Sequence, residues 1–284
     1  MTITIRTHIG EAARKIDDLA TAALTAELVC YPKPGLVSLR DSGSHTDMDA
    51  AAFIISIASL RGYFQDMANA GGHAANFRTL NEIGLCAERK MLKATQGVNT
   101  HRGAVFSLGL LAASAGYNMV RGHPCTSDWI CGQVGTLWGA DVLATQHQCY
   151  GTNGAAARAR YGVQGARQHA ADGFPTLRHA MLAMREGFDA GLDANWSGVQ
   201  SFLTSVAILD DTNLLHRGGE GALAFAKQRA RVVLDSGGAL TSTGREQARA
   251  LHSEFVAAWL SPGGSADMLA LCYFLHGLEE AFGA

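Results

Sequence analysis

Four short polar stretches concentrate residue types that handle anions and sugars. The first runs Pro32-Lys33-Pro34-Gly35-Leu36-Val37 and continues through Arg40, Asp41, Ser42, Gly43, Ser44, His45, Thr46, Asp47, Met48 and Asp49. Its prolines stiffen the chain, its glycines let the backbone approach a ligand, and Lys33, Arg40 and His45 stand beside carboxylates. One of Asp47 and Asp49 is expected to cap the following helix by accepting its second or third amide, which leaves the other for metal or substrate. The second stretch is Gly97-Val98-Asn99-Thr100-His101-Arg102-Gly103. Asn99 and Thr100 suit a helix N-cap, but capping alone does not require His101 and Arg102. A helix start flanked by glycine and arginine is an anion site, because its free amides and dipole favour negative charge.

The third stretch, Asp210-Asp211-Thr212-Asn213-Leu214-Leu215-His216-Arg217-Gly218-Gly219-Glu220, repeats the Asn, His-Arg-Gly and helix-start elements of the second. The two are therefore expected to face each other as a clamp. Adjacent aspartates followed by Thr and Asn offer hard oxygen ligands of the kind magnesium takes, together with substrate phosphate. The fourth stretch, Ser261-Pro262-Gly263-Gly264-Ser265-Ala266-Asp267, again puts glycines and then Ser and Asp at a helix start.

The elements that must position these loops are helical. Phe53, Ile54, Ile57, Leu60 and Phe64 form one stripe at helical spacing, and no comparable alternation of apolar and polar residues supports strands. Helices are expected at 8–31, 49–69, 75–94, 103–119, 127–146, 153–171, 175–190, 196–209, 219–236, 244–260 and 265–281. Pro32 and Pro34 must end the first, since proline lacks the amide hydrogen and clashes with the preceding turn. No low-complexity linker divides the chain, so residues 1–284 are read as one all-α domain of about ten to eleven helices.

Composition narrows the function classes. With 48% hydrophobic residues in 284, the chain can bury a core, and disorder is excluded. A net charge of −2 removes the electrostatic footprint of a nucleic-acid binder, so any phosphate must meet a local site. The N-terminal region carries charges where a secretory signal needs an apolar core, and no apolar run approaches the ~20 residues that cross a bilayer, the best being Ala50 to Leu60. A cytoplasmic protein without membrane partners is expected. The six cysteines form no CxxC pair and fit reduced thiols. His123, Cys125, Cys131, His147 and Cys149 match no compact zinc spacing, and His73, His169, His179, His252 and His276 read as surface or satisfied core residues.

These loops, in this order, resemble the triphosphoribosyl-dephospho-coenzyme A synthase family. The resemblance extends to Phe106-Ser107-Leu108-Gly109-Leu110-Leu111, Arg160-Tyr161-Gly162, Gly165-Ala166-Arg167 and Gly173-Phe174-Pro175, and covers roughly residues 15–281. The family often has Lys at the position of Arg102 and Gly at that of Asp210, which points to Asp211 as the more important of the two aspartates. His216 is not a fixed family feature, and the segment Gly122 to Gln148 matches nothing in it.

The resemblance implies transfer of the triphosphoribosyl group of ATP to a ribose hydroxyl of 3'-dephospho-CoA. Adenine leaves, and the product is the precursor of the acyl carrier prosthetic group of malonate decarboxylase or citrate lyase. The motifs around Asn99 and Arg160 lean towards the malonate branch. Such chemistry passes through an oxocarbenium-like state that carboxylates stabilise and a base assists. Under this reading His45, Asp47, His101 and Asp211 are the expected catalytic set, with His45 or His101 moving the proton. Lys33, Arg102 and Arg217 are expected on phosphate, and Gly35, Asn99, Asn213, Gly218, Gly263, Gly264 and Ser265 complete the substrate-binding set. Asp47, Asp211 and Asp267 are expected to hold magnesium or face the sugar cation. Expected partners are ATP, 3'-dephospho-CoA, a downstream acyl carrier protein transferase and further copies of the chain. The rivals are a magnesium-dependent nucleotide or ADP-ribosyl glycohydrolase, in which water replaces the acceptor ribose, and a non-catalytic helical scaffold whose loops are only caps.

Overall fold

The computed structural model describes residues 2–145 and 153–283, and every regular element among them is helical. The order is α1 (Thr2–Val29), α2 (Ala50–Ser59), α3 (Tyr63–Gly72), α4 (Phe77–Ala94), α5 (Arg102–Arg121), α6 (Ser127–Ala144) and α7 (Asn153–Tyr161). Then follow α8 (Ala166–Ala171), α9 (Pro175–Asp189), α10 (Ala194–Ile208), α11 (Thr212–Asp235), a 3-10 turn at Gly238–Leu240, α12 (Ser242–Ala257) and α13 (Gly263–Phe282). His147 and Cys149 lie outside the described residues.

Three expected helices differ, each at a glycine. The span 49–69 is two helices, because Gly62 takes φ +83° and Asp17 of α1 accepts the amides of Gly62, Phe64 and Gln65, which caps a new start at α3. The span 153–171 breaks after Tyr161, where Gly162 has φ +67°. The helix expected from 219 begins at Thr212, and Gly219 is a kink inside it, with φ +67° and ψ −161°. A glycine pair ends a helix only when no packing carries the chain through.

The centre of the fold is α5, packed by α1, α3, α4, α6 and α13. Two glycines set its approach to α3: a Cβ on Gly71 would lie 1.9 Å from the Ala113 carbonyl oxygen, and one on Gly116 would lie 2.0 Å from that of Ala68. By length and hydropathy α5 could cross a membrane, which corrects the expectation that no segment approaches that length. Here it is the core helix, buried almost throughout from Ala104 to Gly116.

Candidate active site

The start of α13 gathers the other loops. Asp211 caps α11 through the Asn213 amide at 2.9 Å, and its second oxygen accepts the Ser265 amide at 2.9 Å and the Ser265 hydroxyl at 3.1 Å. Gly263 leaves room for Asn213, since a Cβ there would lie 2.7 Å from the Asn213 side-chain nitrogen Nδ2. Asp267 reaches across to the start of α5, where the Ala104 amide meets its carboxyl and a Cβ on Gly103 would lie 2.0 Å from Oδ2. The first loop is pinned to the same point: Gly35, at φ +73°, fits against the Leu260 carbonyl, and Ser44 donates to that oxygen at 2.6 Å.

These clasps enclose a cleft of about 270 Å³. His45 and Asp47 come from the first loop, Asn99, His101 and Arg102 from the second, Asn213, His216 and Arg217 from the third, and Gly263 and Asp267 from the fourth. The second and third loops thus share one cleft, as a clamp requires. Asp49 caps α2 through the Ala52 amide at 2.9 Å, leaving Asp47 on the wall, and Asn99 accepts the Arg102 amide at 3.1 Å.

Six expected residues stand outside the wall. Lys33 is 1% exposed and ion-paired with Glu27. Asp211 is equally buried, with both oxygens taken by protein donors. Ser265 and Gly264 hold Asp211, Gly35 holds Leu260, and Gly218 lies against Ala222. Their geometry makes them the frame of the cleft.

Electrostatics divide the wall. Arg217 donates to the carbonyls of Ser44 at 2.8 Å and Trp259 at 3.0 Å, and its other terminal nitrogen meets the His45 ring. His45 also meets the Ser261 hydroxyl at 2.8 Å, and burial together with the Arg217 charge lowers its pKa. Arg102 is held by Glu88 of α4, with Nε 2.6 Å from the carboxylate. The Asp267 carboxyl is pushed well above the usual range, chiefly by desolvation and then by the charges of Glu27 and Asp211. Burial and the nearby Lys33 cation push His101 down to about 3, so its ring is neutral.

Sequence reasoning missed Glu27, Phe53, Ser56 and Glu88. Glu27 lines the cleft from within α1, and it is the one charge between Asp18 and Lys33, in an otherwise apolar run that signals burial. Ser56 and Phe53 sit on α2 and meet the His101 ring, while Glu88 looks in sequence like any solvated helix charge. Among the described residues no group of three or more His, Cys, Asp or Glu is arranged to hold a metal by itself.

Helix starts, two guanidinium groups and several carboxylates thus meet around one cleft of an all-α fold, a set of groups suited to an enzyme that handles an anionic substrate. The chain belongs to the ATP:dephospho-CoA triphosphoribosyl transferase family, whose profile matches residues 13–284. It is 38% identical over 274 residues to the 2-(5''-triphosphoribosyl)-3'-dephosphocoenzyme-A synthase of Klebsiella pneumoniae, covering 93% of this chain and 91% of that protein. It is 37% identical over 270 residues to the protein of the same name from Pectobacterium atrosepticum, covering 92% and 88%. No solved structure matches it. The chain is thus a transferase, and the comparisons give no support to the glycohydrolase reading.

Proposed function

We propose that this cleft joins the triphosphoribosyl group of ATP to a ribose hydroxyl of 3'-dephospho-CoA and releases adenine. The observation that carries the site assignment is the meeting of Arg102 and Arg217 with Glu27, Asp47 and Asp267 in one cleft at the starts of α5, α11 and α13. Arg102 and Arg217 take the triphosphate, Asn99 and Asn213 orient it, and Glu27 and Asp267 flank the anomeric carbon, where carboxylates stabilise the developing cation. Magnesium enters with ATP as part of the substrate. Its need for one or two carboxylates besides phosphate is met by Asp47 on the wall, while Asp211 has no oxygen to spare. The product is the precursor of the acyl carrier prosthetic group of malonate decarboxylase or citrate lyase, made in the cytoplasm and passed to a carrier protein transferase.

The test is incubation with ATP, magnesium and 3'-dephospho-CoA. Adenine should appear in step with an adduct heavier than 3'-dephospho-CoA by a triphosphoribosyl unit, without accumulation of ADP or phosphate. Adenine without the adduct would mean that water is the acceptor, and unchanged ATP would mean a binding protein.

A further inference from the structure

His101 is the one wall residue whose hydrogen bonding is incomplete in a directed way. Its ring is 3% exposed and lines the cleft, yet Nε2 has no hydrogen-bond partner. The opposite nitrogen is fixed: Nδ1 lies 2.7 Å from the Ser56 hydroxyl, and Thr100 donates its own hydroxyl proton to Ser56 at 2.7 Å. With Thr100 donating to it, Ser56 turns its own hydroxyl proton towards Nδ1. The ring proton of a neutral imidazole must then sit on Nε2. A buried N–H without a partner costs about 1–3 kcal/mol, and a ligand acceptor at that position recovers it.

The surroundings say what kind of acceptor fits. Phe53 meets the His101 ring edge-on at 4.8 Å and lines the cleft with Leu36, Val37 and Met48. The cations Arg102 and Arg217 line the same cleft. A flat heteroaromatic base suits the apolar part, and a triphosphate does not. Resting on the transfer reaction proposed above, we propose that this region is the purine subsite, with His101 as the catalytic residue whose Nε2–H donates to a ring nitrogen of the departing adenine. Ser56, backed by Thr100, is its positioning residue.

In the step itself the acceptor oxygen bonds to the anomeric carbon, and the carbon–nitrogen bond breaks with its electron pair going to the purine. The hydroxyl proton ends on the released adenine, so nothing else is consumed. His101 keeps its proton throughout and stabilises the charge that builds on the ring.

The experiment pairs base analogues with variants. Wild type, His101→Ala, His101→Gln and Ser56→Ala are assayed with ATP, 7-deaza-ATP and 3-deaza-ATP, and their affinity for free adenine is measured by calorimetry. Removing the donor should lower kcat about 100-fold with ATP. One of the deaza analogues should cost wild type a similar factor and His101→Ala almost nothing further. His101→Gln, whose amide reaches the Nε2 position, should recover part of the rate. Ser56→Ala should lose about 10-fold in kcat with little change in KM, and nitrogen-15 spectra should show its His101 proton moving towards Nδ1. If His101→Ala loses the same factor with all three nucleotides and binds adenine as wild type does, the purine contact is wrong. If wild type releases no adenine, the transfer reading fails, while the adenine affinities still decide the subsite.

Discussion

The carboxylate of Asp211, at the start of α11, accepts both the amide and the hydroxyl of Ser265, two residues into α13. One side chain thereby caps one helix and ties it to the first turn of another, and the distance between the third and fourth loops is set by it. Burial pushes the Asp211 carboxyl up, and the donors around it pull it down.

Asp211→Asn should therefore act on stability first. The amide supplies one acceptor where the carboxylate supplied two, so an NH2 group must face the Asn213 or Ser265 amide. Leaving such a donor unpaired costs about 1–3 kcal/mol. Thermal melts should show a fall of several degrees, with loss of turnover following from the displaced loops. A variant that melts with wild type but is inactive would return Asp211 to the chemistry.

Arg102 and Glu88 make opposite predictions for nucleotide binding. Arg102→Ala should weaken ATP by the worth of one charge-assisted contact, about 1.5–3 kcal/mol, and leave adenosine unchanged. Glu88→Gln removes the carboxylate that now holds the guanidinium, so triphosphate should meet less competition and ATP should bind several-fold tighter. Calorimetric titration of both nucleotides decides it, and equal losses for ATP and adenosine in Arg102→Ala would place the arginine outside the phosphate site.

His101 gives the fold a measurable acid sensitivity. Its pKa falls from 6.5 to about 3 on burial, so the unfolded chain takes up a proton below pH 6.5 that the folded chain refuses. The stability held by the neutral ring is complete above 6.5 and is lost as pH falls from there towards 3. Between pH 7 and 5, wild type should lose about 2 kcal/mol more than His101→Gln, in which nothing titrates at this position. Denaturant midpoints at the two pH values provide the comparison, and parallel losses would mean that the ring is solvated.

The loops were legible because their residue types are expensive to place anywhere else: Asn99, Arg102, Asn213, Arg217 and Asp267 share the cleft that their spacing suggested. What was not legible is which polar residue faces the ligand and which holds the frame. Lys33 and Asp211 have the right types for chemistry, but Glu27 matches the Lys33 charge and neutral protein donors occupy both Asp211 oxygens, and only three-dimensional neighbours reveal that. Ser56 and Glu27 were hidden for the opposite reason. Each sits inside a helix whose periodicity explains it without any site, and each becomes polar wall or support only when the first turn of α5 or the chain at Lys33 folds against it.

Lys33 and Glu27 provide the sharpest separation of frame from chemistry. Both are almost fully buried and pair with each other, so removing one partner leaves an uncompensated charge, a loss of about 3–5 kcal/mol. Lys33→Met and Glu27→Gln should each be strongly destabilised for that reason, and their inactivity alone would say little. The double variant Glu27→Gln/Lys33→Met removes both charges and should regain most of the lost stability, because a neutral pair needs no counterion. Activity then becomes informative. Glu27 lines the cleft and Lys33 does not, so the refolded double variant should still bind ATP yet turn over at least 100-fold more slowly, for want of the carboxylate beside the sugar. A double variant that melts with wild type and keeps its kcat would show that the ion pair serves only to hold α1 against the first loop, and Asp267 would then be the one buried carboxylate left to face the anomeric carbon.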